Sequence, residues 1–455
     1  MTRLAEYAAR IEANARRLGL SYSGVDFELV PERFMMETAV YGLPVRMPHW
    51  SFGVRYIRQL VQRNMGHSRI FEVMFPGDPC KAYLVDVNSL AENVLVVAHV
   101  LGHADFAHRN GLFQRSLAMA GGKILEQAAA RAHRIDSALA KHGQERVEAV
   151  LDAALALEAH IDVNRPLYRT RAGEDGDQSP PIDADPFRRR WETLPGEQAA
   201  EPSAAPAQRA VPAHPVYDLL WFIAHYGPEL EDWERDAFLA VREESFYFYP
   251  VFACQIMNEG WASYWHARLL READLLPSDL YVSAIKTHSD VVQPHAAGKS
   301  LALAVNPYHL GFSIWERIVE RLGLDTARRI CAEEDDFGFV RNHLDQELAD
   351  QLELFVYEAS ADGAISVASR DIHAVREAIL APRFNFGVPR VAATKLDVDG
   401  SLTLAHDHRS DGRGLDLKRA ERVLEYVVRV WRRPVSLQTV DEHGASRVLS
   451  ARPHH

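Results

Sequence analysis

The tightest constraint on how this chain folds lies at residues 89–110, SLAENVLVVAHVLGHADFAHRN. Ser89 followed three positions later by Glu92 has the pattern of a capping box, which predicts a helix starting there. The apolar run Val94-Leu95-Val96-Val97 makes that helix too apolar to face solvent, so other elements must cover it. On this segment sit His99 and His103, four positions apart and therefore one above the other on one helical face. Two imidazoles so placed have the geometry of a paired metal-ligand set. Taken alone, the pair is more often two buried histidines bonded to their neighbours.

A second polar intrusion tips the balance. The segment 258–266, NEGWASYWH, carries Glu259 and His266 in another predicted helix, spanning 254–270. Seven positions put these two about 10.5 Å apart along the axis, too far to share an ion easily. The simplest assignment makes His99, His103 and Glu259 the ligands of one divalent metal, with a fourth position open to water. That set is typical of catalytic zinc, and iron or manganese would also suit the mixed donors. His266 and His288 then orient the ligands or hold a second ion. Gly260 and Ala262 are small enough for close helix contact, or are ordinary packing positions. An HExxH zinc helix would have a glutamate after its first histidine to act as general base; here that position is Val100. The acid or base must come from elsewhere, and Asp105, Glu244 and His288 are the candidates. Trp261, Tyr264, Trp265 and Tyr308 are suited to lining a cleft, with Asn306 and His49 beside them.

Around this centre the pattern is mainly helical. Helices are expected over 4–18, within PERFMMETAVYGLP, from Trp50, over 123–161 with a break near Gly143, and through most of 216–350, with a stop at Pro250. The segment IFEVMFPGDPCKAYLVDV reads as a short β-hairpin about Pro-Gly-Asp. Residues 171–212 are rich in Pro, Ala, Gly and acids, with few large apolar side chains, and are expected to be a mobile excursion. After residue 350 the order becomes ββα-ββα-ββ, with turns at Asp362-Gly363, Asp399-Gly400 and His443-Gly444. The expected architecture is a helical, zincin-like body over 1–350 and a smaller α+β domain over 351–455.

Bulk properties exclude some function classes. The 455 residues carry 51 basic and 63 acidic side chains, a net charge of −12 that argues against general affinity for nucleic acid. No apolar run approaches membrane-spanning length. Three scattered cysteines with no CxxC pair fit reduced thiols in a cytoplasmic protein.

The motifs HWSFG (49–53), DPCKAYL (78–84), AHVLGHADF (98–106), 244–250, MNEGWASYWH (257–266) and NPYHLGF (306–312) occur in one order that resembles the SpoVR family, named for stage V sporulation protein R. The resemblance spans nearly the whole chain. It implies a link to the spore cortex and to cell-wall peptidoglycan, and partnership with a PrkA-type serine protein kinase and a von Willebrand-type protein. Two functional readings follow: a metal-dependent hydrolase of peptide or amide bonds in a cell-wall-derived substrate, or a non-enzymatic scaffold acting with the kinase.

Overall fold

The computed structural model describes residues 2–43, 46–64, 72–119, 123–165, 214–271, 276–292, 305–359 and 365–453. The excursion expected at 171–212 and the turn expected at Asp362-Gly363 lie outside them. The chain divides into two compact units: Met1–Lys141 with Glu243–Gly387, and His142–Arg242 with Val388–His455.

The first unit is assembled around the helix Leu90–Arg109. Its capping box forms as read, with Ser89 Oγ accepting from Glu92 N at 3.2 Å and Glu92 Oε2 accepting from Ser89 N at 2.7 Å. Every residue from 93 to 107 is buried. A helix with no solvent face needs neighbours all round, and it packs against helices Thr2–Arg17, Gln255–Arg271 and Ser278–Val291 and against two strands.

Glycine allows the closest of these contacts. A Cβ added to Gly102 would stand 2.7 Å from Ala262 Cα, and one on Gly260 would stand 2.2 Å from the carbonyl carbon of Gly311. The helices Leu90–Arg109, Gln255–Arg271 and Pro307–Leu322 are thus stacked backbone to backbone. The middle helix starts where buried Asp336 accepts from the Ile256 and Met257 amides, both at 2.9 Å, satisfying two N-terminal donors. The preceding helix, Asp232–Ala253, runs through Pro250 instead of stopping there. Proline cannot donate to the carbonyl four residues back, and the Ser116 hydroxyl donates to that Phe246 carbonyl at 2.9 Å in its place.

The expected hairpin is part of a larger sheet. Strands β2 (Glu72–Phe75) and β3 (Cys80–Val85) are antiparallel, and β1 (Val25–Val30) pairs parallel with β3 to give the order β1-β3-β2. The partner strand lies some fifty residues upstream, beyond the reach of hairpin logic.

The boundary at residue 350 also falls elsewhere. Strands β4 (Val356–Ala359) and β5 (Ile365–Ser369) form their own two-stranded sheet in the first unit. The helix Ile372–Leu380 that follows buries Val375 and Leu380 in the first unit's core. Arg376 Nε donates to the Leu344 carbonyl at 2.8 Å, tying the segment down further.

The second unit holds a four-stranded sheet of β6 (Val391–Leu396), β7 (Leu402–His406), β8 (Val435–Val440) and β9 (Ser446–Ala451) in the order β6-β7-β8-β9. Gly400 at φ +85° and Gly444 at φ +80° make the two turns read from Asp-Gly and His-Gly. The helix Leu417–Trp431 makes the crossover between parallel β7 and β8 and packs on helix Gln144–Ala156. The molecule is mainly helical, with a small C-terminal α+β part. Among the described residues, no helix is long and apolar enough to cross a membrane.

Candidate metal centre

His99 and His103 project from one face of Leu90–Arg109, their rings edge to face at 4.5 Å between centroids. Glu259 comes from the adjoining helix Gln255–Arg271. Its Oε2 stands 3.7 Å from His99 Nε2 and 3.5 Å from His103 Nε2. A fourth donor, Glu72 on β2, puts Oε1 3.8 Å from His99 Nε2. One ligand atom each from Glu72, His99 and His103 lies within 4.8 Å of the others, a set that could hold a metal ion. These gaps are too long for hydrogen bonds. They are close to the roughly 3.4 Å that separates two donors bound at about 2.1 Å to one tetrahedral ion.

The inward-facing atoms lack other partners. His99 Nε2 and Glu259 Oε2 are buried without a hydrogen bond, a state that costs about 1–3 kcal/mol per group unless something satisfies it. Their outward sides are fixed. Asn258 Oδ1 lies 2.8 Å from His103 Nδ1, and an amide oxygen can only accept, so the hydrogen sits on Nδ1 and the Nε2 lone pair faces Glu259. His99 Nδ1 meets His266 Nδ1 at 2.9 Å, and His266 Nε2 bonds to His288 Nδ1. Two directions satisfy this row; with His99 donating to His266 and His266 to His288, the His99 Nε2 lone pair faces the cluster, and this is the one a metal ion there would require.

Electrostatics keep the donors in ligand form. Burial, reinforced by His103, pushes His99 down to about 4, so its imidazole is neutral near pH 7. Burial also holds His266 well below the usual histidine range. Burial raises Glu259, but the His99 and His103 imidazoles beside it and the Tyr308 hydroxyl outweigh it, so its carboxyl ends below the ordinary value. Glu72 moves the other way, pushed up to about 8 by burial and by the Glu259 carboxylate. Both glutamate side chains keep some exposed surface, 18% for Glu72 and 21% for Glu259, while Glu259 Oε2 itself is buried. The Tyr308 ring stacks on His99 at 6.2 Å.

The structure therefore brings together His99, His103, Glu259, His266, His288 and Tyr308. The other candidates go elsewhere. Asp105 points away from the cluster, accepting from Ser21 N, Arg109 Nε and Trp261 Nε1 at 2.6, 2.7 and 2.9 Å. Two positions past His103 is the opposite helix face, which accounts for this. Glu244 forms a buried ion pair with Arg46 at 2.7 Å. Trp261 and Trp265 are fully buried and pack on the core, Trp261 against Trp315 at 4.7 Å, instead of lining a cleft. The Tyr264 hydroxyl accepts from Arg268. Asn306 caps the helix Pro307–Leu322 through the Tyr308 amide. His49 bonds Ser51 beside Trp50. The residue missed from sequence is Glu72, whose one signal is a lone carboxylate in an otherwise apolar strand.

Fold and site together define a class: a mainly helical protein whose central buried helix carries a histidine–carboxylate cluster. A family model described as SpoVR like protein matches residues 1–387, and one described as SpoVR-like C-terminal domain matches 390–442. The chain belongs to the SpoVR family. It is 30% identical over 352 residues to a protein of Escherichia coli (strain K12) named "Uncharacterized protein YcgB", covering 73% of this chain and 65% of that relative's length. No solved structure matches, so the zincin-like element of the expected fold has no structural neighbour behind it.

Proposed function

We propose that the cluster binds one divalent metal, zinc in first place, through His99, His103 and Glu259, and that the chain is a metal-dependent hydrolase of peptide or amide bonds. The observation that carries this reading is the pair of orphaned buried atoms, His99 Nε2 and Glu259 Oε2, facing each other at 3.7 Å with a third donor alongside. A divalent ion here would supply Lewis acidity, lowering the pKa of a water and polarising a carbonyl. Glu72 fills the place that Val100 leaves vacant: its Oε1 lies 3.8 Å from His99 Nε2, and as a carboxylate it can take a proton from water and return it to a leaving amine. Tyr308 steadies Glu259, and His266 with His288 steadies His99. The substrate class favoured by the family resemblance is a cell-wall-derived peptide.

The test is elemental analysis of purified protein beside thermal unfolding, with and without chelator. The parent is expected to hold one ion per chain. Glu259→Gln should weaken binding by at least about 100-fold with the fold retained, since it takes a ligand from the set. Glu92→Gln should be silent, because glutamine also serves at that capping position. A parent without stoichiometric metal, or a Glu259→Gln variant that keeps a full complement, overturns the site. A scaffold acting with a kinase needs no ion, so the same measurement separates the two readings.

A further inference from the structure

The first unit carries a surface that the metal centre does not use. Residues 38–71 contain five arginines and neither aspartate nor glutamate, in a chain with 63 acids among 455 residues. That segregation of charge centres on the helix Trp50–Asn64. The fold uses one face of this helix. Phe52 is buried there, meets Tyr41 edge to face at 5.5 Å, and has the Arg46 guanidinium 4.7 Å from its ring centroid. Arg46 itself is turned inward to Glu244. The opposite face is apolar as well: Trp50, Val54, Ile57 and Val61 are each more than half exposed. Their spacing aligns them in one row about 16 Å long. Exposed Arg58 lies within one turn of both Val54 and Val61, and exposed Arg55 stands beside it. Single exposed apolar side chains are ordinary, but four in a row along one helix mark a surface that meets something apolar.

We infer that this face of the helix lies on the surface of an anionic phospholipid bilayer, with Trp50, Val54, Ile57 and Val61 at the acyl boundary and Arg58 against lipid phosphate. The chemistry follows the layers of that surface: an apolar row, a tryptophan at its end, and arginine beside it, long enough to reach back to the headgroups. Charge selects this occupant over a second copy of the chain. Two such faces would bring arginines together, and neither helix carries an acid to answer them. The adjoining helix Glu32–Tyr41 does carry Glu32 and Glu37, and Glu37 is already paired with Arg33 at 3.0 Å. The overall charge of −12 opposes the approach only weakly, since charges beyond roughly 8 Å are screened at physiological salt. With 15 residues the helix is shorter than the roughly 20 that span a bilayer, so it lies on the surface. None of this depends on the metal.

The test is co-sedimentation of the full-length chain with vesicles of phosphatidylcholine alone and of phosphatidylcholine mixed equally with phosphatidylglycerol. Binding to the mixed vesicles is expected to be at least about tenfold tighter. Val54→Ser with Ile57→Ser keeps every charge and should weaken that binding at least about tenfold. Arg58→Glu should weaken it to a similar degree. If the serine variant does not fold, a dye reads the same contact. Cys80, Cys254 and Cys331 are buried, so Ile57→Cys takes an environment-sensitive thiol dye selectively. Its emission should shift to the blue on mixed vesicles, while the same dye at Val398→Cys, exposed in the second unit, should not respond. No sedimentation with mixed vesicles, equal binding to both kinds, or binding indifferent to both substitutions overturns the inference. So does an Ile57 dye that stays as in buffer. A dimer dissolved by the serine substitutions, without vesicle binding, would assign the face to a second copy instead. Polyglutamate bound through Val54 and Ile57 more tightly than mixed vesicles would assign it to an acidic protein.

Discussion

At the residue scale, the chemistry of the cluster depends on which nitrogen of each imidazole carries hydrogen. Asn258 settles this for His103 by accepting from Nδ1 and leaving the Nε2 lone pair inward. Asn258→Leu removes the acceptor while keeping a similar volume, so His103 can turn or change tautomer. The expected loss is about 10- to 100-fold in metal affinity, the range for partners of ligating histidines. Asn258→Asp, which still accepts, should keep near-parental affinity. Competition against a chelating dye measures both, and equal affinities for the leucine variant and the parent would refute the role. The histidine pair was legible because helical spacing converts directly into a shared face, and Glu259 because it is a carboxylate set into a second apolar helix. Glu72 was not, because a strand residue's facing depends on register, here Glu72 opposite Leu84, and register is a tertiary property. Asp105 and Glu244 misled for a related reason: an ionisable residue in an apolar helix signals a partner without saying which. Here the partners are Trp261, Arg109 and Arg46.

At the scale of elements, the site is as rigid as the three-helix stack beneath it. Glu259 adjoins Gly260, whose Cα faces Gly311 in the helix that carries Tyr308. A methyl group at 260 would collide with main chain, which cannot rotate aside as a side chain can. Gly260→Ala should therefore cost at least about 3 kcal/mol, the upper end of overpacking penalties, despite the better helix propensity of alanine. It should also weaken metal binding by moving the Pro307–Leu322 helix. Denaturant unfolding gives the first effect, and a change smaller than about 0.5 kcal/mol, the level of an ordinary surface substitution, would contradict the packing argument. That Gly260 and Ala262 permit close approach could be read from the sequence. That Gly311 is the opposite wall, or that Asp336 caps this helix from a distance, could not, since neither sequence distance nor local pattern encodes such a meeting.

For the whole molecule, the open question is which residues share a fate when the chain unfolds. The alternating strands after residue 350 read as one domain because hairpins and helices repeat there without a break. Repetition of elements does not decide which core they join, however. Leu380, fully buried, belongs to the core that carries the histidine helix, whereas Leu437 lies in β8 of the second unit. These assignments predict two unfolding transitions that respond differently. A ligand that binds only the folded state raises stability by RT ln(1 + [L]/Kd), so added metal should raise the transition of the first unit alone. Leu380→Ala, a buried leucine truncation costing about 2–5 kcal/mol, should lower that same metal-sensitive transition. Leu437→Ala should lower the other one by a comparable amount and leave metal binding unchanged. Scanning calorimetry of the full-length parent and both variants, each with zinc and with chelator, reads all of these shifts in one experiment. If Leu380→Ala moves the metal-insensitive transition, the segment 351–387 belongs with the C-terminal sheet and the boundary at residue 388 is wrong. A single transition moved equally by both substitutions would show that the two units do not unfold separately.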